Sequence, residues 1–189
     1  MSDVTVKNKA MHAAAQLKLV DMLPAKTRYS IYDEEITKVK GKINKNTSVQ
    51  TLLTSKSTIT AEKNLKKIFE PIEKDWKTNV RIQVIDLQEK YGDKLPEDVF
   101  VISAYDDTRD IIEIDKEKVK MMIETRDKRI ARKILEDTAH ELFHHRQDKI
   151  TLNPYFVSSK ANPSVTSFEE YMESPEEKTA RLFEKEVFT

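Results

Sequence analysis

Residues 127–147 read DKRIARKILEDTAHELFHHRQ, and this stretch decides the fold and carries the chemistry. Its apolar side chains recur at three- and four-residue steps, which predicts an amphipathic helix. The apolar side of this helix would pack on a core through Ile130, Ala131, Ile134, Leu135, Ala139, Leu142 and Phe143. His140 and His144 lie nearly opposite the main apolar stripe, so they can face a cleft while the helix covers the core.

The segment from His140 to His144 has the pattern H-E-x-x-H. One turn of helix puts residues i and i+4 on the same side, so both imidazoles can reach one metal ion at about 2.0–2.1 Å. Glu141 cannot share that row of ligands, but it can accept a proton from water at the ion. The pattern therefore predicts His140 and His144 as metal ligands and Glu141 as a catalytic base.

Asp137 and His145 stand beside this motif and are weaker candidates. Asp137 lies about one turn before His140, where it could orient a ligand ring or simply be a solvated charge on the helix face. His145 points about a quarter-turn away from the two ligands. We therefore expect His145 at the surface or in contact with a ligand, and not on the metal.

Two histidines do not complete a catalytic zinc site, which takes three protein ligands and keeps a fourth position for water. The chain has no Cys and four His in all, so we expect a carboxylate as the third ligand. The downstream candidates are Glu169, Glu170, Glu173, Glu176 and Glu177. Residues 174–177 (SPEE) also have the form of a capping box, in which Glu177 would bond back to the Ser174 backbone amide. The residues alone leave both roles open for Glu177.

The remaining pattern predicts an α+β fold, with the main domain over residues 59–189. The predicted strands cover residues 80–85, 99–104 and 111–114, and a polar turn joins the last two into a hairpin. The predicted helices, besides the one quoted above, cover residues 60–76, 116–125, 167–173 and 175–188.

Residues 1–58 differ in composition and are interpreted as a separate N-terminal part. Residues 10–23 favour a short helix, which Pro24 would end. Residues 36–58 are rich in Lys, Asn, Ser and Thr with single scattered apolar residues, which favours an extended arm or linker. No aromatic residue lies between the lysines of this segment, so we interpret them as solvated charges and not as a nucleic-acid contact.

The composition excludes several classes of protein and of site. Lys and Arg together number 33, as do Asp and Glu, so nothing in the net charge favours nucleic acid or an anionic membrane as a partner. Without Cys there is no disulfide and no thiolate metal site. No apolar run is long enough for a membrane span, and residues 1–3 (MSD) do not begin a signal peptide. We therefore expect a cytoplasmic protein with no direct nucleic-acid partner and no membrane partner.

These motifs resemble those of the zincin metallopeptidases, of the gluzincin type, and in particular the ImmA/IrrE-like family. The first matching piece is residues 138–144 (TAHELFH), which follow a strand ending IIEID. The second is residues 177–183 (EKTARLF), similar to that family's pattern of Glu, any residue, Glu, Ala, Asn, any residue, Phe. Thr179 and Arg181 stand where the pattern has its second Glu and its Asn.

The resemblance implies a small zincin-like domain in which Zn²⁺ is held by His140, His144 and Glu177. It further implies that Glu141 assists hydrolysis of a peptide bond in an intracellular protein, such as a transcription regulator. Two alternatives are a non-catalytic zinc-binding domain, and a protein-interaction domain with a similar fold in which the motif occurs by chance. The sequence does not specify an oligomeric state.

Overall fold

The computed structural model describes residues 25–92, 102–151 and 173–188, which contain seven helices and three strands. The helices are α1 (Ala25–Val39), α2 (Lys45–Leu53), α3 (Thr58–Trp76), α4 (Leu87–Tyr91), α5 (Lys116–Thr125), α6 (Lys128–Thr151) and α7 (Pro175–Glu186). The strands are β1 (Arg81–Ile85), β2 (Ser103–Asp106) and β3 (Ile111–Asp115). This order of elements confirms the predicted α+β class, and the narrower zincin-like assignment stays a prediction.

The three strands form one mixed sheet in the order β1-β3-β2. β1 runs parallel to β3, with Arg81 opposite Ile111, and β2 runs antiparallel to β3, with Ser103 opposite Ile114. Successive side chains of a strand point to opposite faces, so Ile114 belongs to the core while Glu113 lies on the other face of the sheet. β2 is an edge strand within the described residues, and it lies against α6.

Helix α6 lies at the centre of the fold and packs against α2, α5, α7 and the sheet. Its predicted apolar side is confirmed, because the side chains that carry it are fully buried from Ala131 to Phe143. Phe143 stacks on Phe183 of α7 with ring centroids 4.9 Å apart, and Trp76 of α3 lies 5.3 Å from Phe183. Each such buried aromatic side chain contributes roughly 1.5–3 kcal/mol, so this contact fixes α6 and α7 side by side.

The interpretation of residues 36–58 as an extended arm or linker is wrong. These residues belong largely to α1, α2 and the start of α3, and Val39, Val49 and Leu52 are buried in the same core as α6. Sparse apolar residues suffice here because each of these helices buries only a narrow side, while most of its polar side chains face solvent. Asn44 caps α2 by accepting a hydrogen bond from the Thr47 amide. The boundary of the main domain at residue 59 stays a prediction.

The second strand extends further toward the turn than the sequence predicts. Tyr105 and Asp106 were predicted in the turn, but they continue β2 and pair with Ile112 and Ile111. The chain tolerates Asp106 at this point because Arg109 and Lys90 form salt bridges with its carboxylate. The predicted helix over residues 10–23, residues 167–172 of the helix predicted over 167–173, and residues 99–101 of the predicted strand lie outside the described residues, and residue 173 is in a turn. None of the helices in the described ranges combines the length and apolar character that a membrane span needs.

Candidate metal centre

Three side-chain atoms from α6 and α7 converge on one point. His140 Nε2 and His144 Nε2 are 2.9 Å apart, and each lies 3.4 Å from Glu177 Oε2. Atoms about 2.1 Å from an ion at tetrahedral angles are about 3.4 Å from one another. The two N···O distances match this spacing, and the two imidazole nitrogens lie closer together, so the group is compact enough to share one zinc-sized cation. His140, His144 and Glu177 are the one set of three or more His and carboxylate side chains in the described part of the chain whose ligand atoms lie close enough together to share an ion.

The two histidines reach this point because α6 is continuous through the motif. Their ring centroids are 4.6 Å apart on the same side of the helix, as the i, i+4 spacing predicts. His144 is buried and His140 is partly exposed at the wall of a cavity. The helix thus offers one ring from the interior and one from the cavity side.

Only the Ser174 half of the predicted capping box is present in the described contacts, because the Glu177 side chain turns away from the Ser174 backbone amide. Ser174 caps α7 by accepting a hydrogen bond from the Glu177 backbone amide at 3.2 Å. The Glu177 side chain turns toward α6, where Oε1 accepts a hydrogen bond from Arg181 Nε at 3.0 Å and Oε2 faces the two imidazoles. This Oε2 is buried and has no hydrogen-bond donor among the described residues. A buried carboxylate oxygen without a donor is costly, so the geometry fits a cation at the centre.

The electrostatics of the site also favour positive charge at that point. Burial alone would lower the pKa of His140, but the carboxylates of Glu177, Glu184 and Glu141 raise it to about 10. Burial alone would raise the pKa of Glu177, but the imidazoles of His140 and His144 hold it well below its usual range. Both shifts show that this point between α6 and α7 favours positive charge.

Both imidazoles have an acceptor at the nitrogen that faces away from the centre. His144 Nδ1 lies 2.8 Å from Gln147 Oε1, and His140 Nδ1 lies 3.4 Å from Glu184 Oε2. Partners of this kind fix the orientation of metal-binding histidines. Sequence reasoning missed both residues, although Gln147 follows His144 by three positions and Glu184 follows Glu177 by seven, which puts each pair on one side of its helix.

Glu141 and Asp137 line the cavity beside His140. Described residues bound a volume of about 480 Å³ there, and Ser103 of β2 donates a hydrogen bond to Glu141 Oε1 at 3.3 Å. Sequence reasoning missed Ser103, since only the packing of β2 on α6 brings it there. Asp137 is bonded to Lys133 at 2.6 Å, and the described contacts do not include one between its carboxylate and a ligand ring. Burial raises the pKa of Asp137 despite that partner.

His145 is not at the surface, so that part of the expectation for it is wrong. Only 1% of the residue is exposed, and its Nδ1 lies 3.2 Å from the hydroxyl of Tyr105, which in turn donates to Asp110. Burial lowers the pKa of His145 to about 4, so the ring is neutral near pH 7. Its contacts fasten α6 to the β2–β3 hairpin.

Comparison of the chain with protein-family models, with curated proteins and with solved structures finds no match.

Proposed function

We propose that this protein is a zinc-dependent metallopeptidase in which His140, His144 and Glu177 hold the metal and Glu141 is the general base. The observation that carries the proposal is the buried Oε2 of Glu177, which faces two imidazole nitrogens at 3.4 Å and has no hydrogen-bond donor in the described ranges. Two imidazoles and one carboxylate are a donor set typical of catalytic zinc. The adjoining cavity leaves room for a substrate beside these ligands.

When bound, Zn²⁺ supplies Lewis-acid chemistry, lowering the pKa of water and polarising the scissile carbonyl. The Glu141 carboxylate accepts the proton of the attacking water and delivers it to the leaving amine. Ser103 supports this role by holding Glu141 Oε1 at the cavity wall. Arg181 supports the ligand role of Glu177 by occupying Oε1, so that Oε2 is directed at the imidazoles.

A peptide is the substrate class that suits this cavity. Ser103, the first residue of β2, and Ile102 just before it line the cavity, and the outer edge of β2 pairs with no strand in the described ranges. An extended peptide can add to such an edge through backbone hydrogen bonds. An intracellular protein as the natural substrate and a cytoplasmic location stay predictions.

The test is metal analysis combined with peptide cleavage, using full-length protein purified without a metal-affinity tag. We expect near-stoichiometric zinc in the wild type and in Glu141→Gln, and loss of zinc in His140→Ala. Incubation with a proteome-derived peptide library, read by mass spectrometry, should give cleavage with the wild type and none with Glu141→Gln. Glu136→Gln is the matched control, since Glu136 lies on the same helix but pairs with Lys45 of α2.

Full cleavage by Glu141→Gln would show that the base is assigned wrongly. Bound zinc without cleavage by any variant would support the non-catalytic zinc-binding alternative. A wild type that binds no zinc, and whose melting temperature a chelator does not change, would support the protein-interaction alternative.

A further inference from the structure

Gln147 lies fully buried between the helices that carry the candidate ligands. Its Oε1 is 2.8 Å from His144 Nδ1 on its own helix. Its Nε2 is 2.9 Å from the backbone oxygen of Glu176 and 2.8 Å from the hydroxyl of Thr179, both in the first turns of α7. One side-chain amide therefore connects a metal-ligand ring of α6 to the end of α7 that bears Glu177.

The direction of these hydrogen bonds is fixed by a backbone group. The Glu176 carbonyl can only accept, so the atom of Gln147 that faces it must be the donating Nε2. The Thr179 hydroxyl donates to the same carbonyl at 3.1 Å and thus accepts the other N–H of Gln147. The remaining Oε1 must accept from His144, so His144 carries a proton on Nδ1 and Nε2 can direct its lone pair at the metal position.

We propose that Gln147 is the positioning residue of the candidate metal centre. It holds His144 as the tautomer with the proton on Nδ1, and it fixes the first turns of α7 so that Glu177 faces the same point as the two imidazoles. The metal-binding part of this inference rests on the proposed function, whereas the tautomer of His144 does not.

Only an amide meets all the requirements of this position. A carboxylate could accept from His144, but it could not donate to Glu176 and Thr179, and it would bury a second negative charge near Glu177. An aliphatic residue could do neither, and it would remove the hydrogen bonds that Gln147 donates to Glu176 and Thr179 of α7. At the more exposed His140, by contrast, the acceptor is the carboxylate of Glu184, whose side chain is 21% exposed.

The experiment compares full-length wild type, Gln147→Met and Thr179→Val. Met fills a similar volume but removes every hydrogen bond of the amide, whereas Thr179→Val removes one link to α7 and keeps the bond to His144. The first readout is the ¹⁵N NMR signature of His144 in metal-free protein at pH 8. The second is zinc affinity from competition with a chromophoric chelator, with the melting temperature recorded alongside.

We expect a protonated Nδ1 on His144 in the wild type and in Thr179→Val, and loss of this preference in Gln147→Met. Zinc affinity should fall roughly 10- to 100-fold in Gln147→Met, the usual cost of losing the partner of a metal-bound histidine. It should fall less in Thr179→Val, even if both variants lose similar thermal stability.

An unprotonated Nδ1 in the wild type would overturn the proposal, and so would wild-type zinc affinity in a folded Gln147→Met. If Gln147→Met does not fold, the NMR measurement on the wild type decides, because it needs no variant. A wild type with the expected tautomer that binds no zinc would refute the proposed function while leaving the orienting role of Gln147 intact.

Discussion

Glu113 and Glu177 are both buried glutamates, but their surroundings differ. Glu113 on β3 is fully buried, and cations and a hydroxyl reach both of its oxygens: Lys90 at 2.5 and 2.7 Å, Arg109 at 2.5 Å and Tyr91 at 2.8 Å. Glu177 has Arg181 on one oxygen and two imidazoles near the other. Lysine and arginine neutralise the first carboxylate, whereas one oxygen of the second faces two imidazole nitrogens at 3.4 Å and has no closer donor among the described residues. A buried charge with an incomplete set of partners is thus the better marker of a functional site.

The largest expected effect concerns metal affinity. Glu177→Gln removes the only carboxylate of the ligand set, so zinc affinity should fall by more than about 100-fold. Glu113→Gln is the control, and it should bind zinc as the wild type does. Chelator competition measures both, and an equal loss in the two variants would erase the distinction between the two glutamates.

Zinc should also stabilise the fold, because it binds the native state across α6 and α7. At a free concentration 100 times the dissociation constant, it should raise the free energy of unfolding by about 2.7 kcal/mol. Urea unfolding with zinc and with chelator measures this difference, and His140→Ala should show none of it. A wild type with identical curves under both conditions would contradict native-state metal binding.

Glu113→Gln should destabilise the protein by roughly 1–3 kcal/mol, because it leaves Lys90 and Arg109 with an incomplete partner. The loss should be the same with and without zinc in urea unfolding. For Glu177→Gln the loss should instead grow when zinc is added, since only the wild type gains from the ion. A zinc-dependent loss in Glu113→Gln would mean that the two sites are coupled.

A smaller effect is expected at Glu35, a third buried glutamate, which Arg146 contacts at 2.8 Å and which Lys38 also contacts. Burial alone would raise the pKa of Glu35, but Lys38 and Arg146 lower it below its ordinary value of 4.5. Its carboxylate therefore stabilises the fold above about pH 4.5, and this contribution is lost as the pH falls through the lowered pKa.

Glu35→Gln should accordingly cost about 1–2 kcal/mol at pH 7 and less at pH 4, measured by urea unfolding. Thr37→Ala on the same helix is the control, since its exposed hydroxyl bonds only to the Asp33 carbonyl in the described contacts. A cost for Glu35→Gln that does not change with pH would argue against a stabilising charge at this position.

Features of the site that depend on a single helix could be predicted from the sequence. Features that depend on contacts between helices and strands could not. The convergence of His140 and His144 needs only one regular turn, so its geometry follows from spacing. The position of Glu177 was reached through a family resemblance, since nothing local to α7 says what its side chain faces. Ser103 and Gln147 act across element boundaries, and no periodicity reports such contacts.

The same reason explains the error in the N-terminal part. Val49 and Leu52 are too few to predict a buried helix from composition, and their burial depends on the surface that α6 offers. Glu113 was correctly placed in a strand, but its cationic partners come from α4 and the β2–β3 turn. Burial of charge is decided by tertiary partners, which a single sequence does not display.

Phe143 immediately precedes His144, and it stacks on Phe183 of the helix that bears Glu177. The distance between the imidazoles of α6 and the Glu177 carboxylate of α7 therefore depends on how these two phenyl rings pack in the core. We expect that substituting either phenylalanine would change the relative affinities of the site for different divalent metals, although neither ring contacts the ion. The packing of these two apolar side chains would then contribute to the selectivity of the site for zinc over other divalent metals.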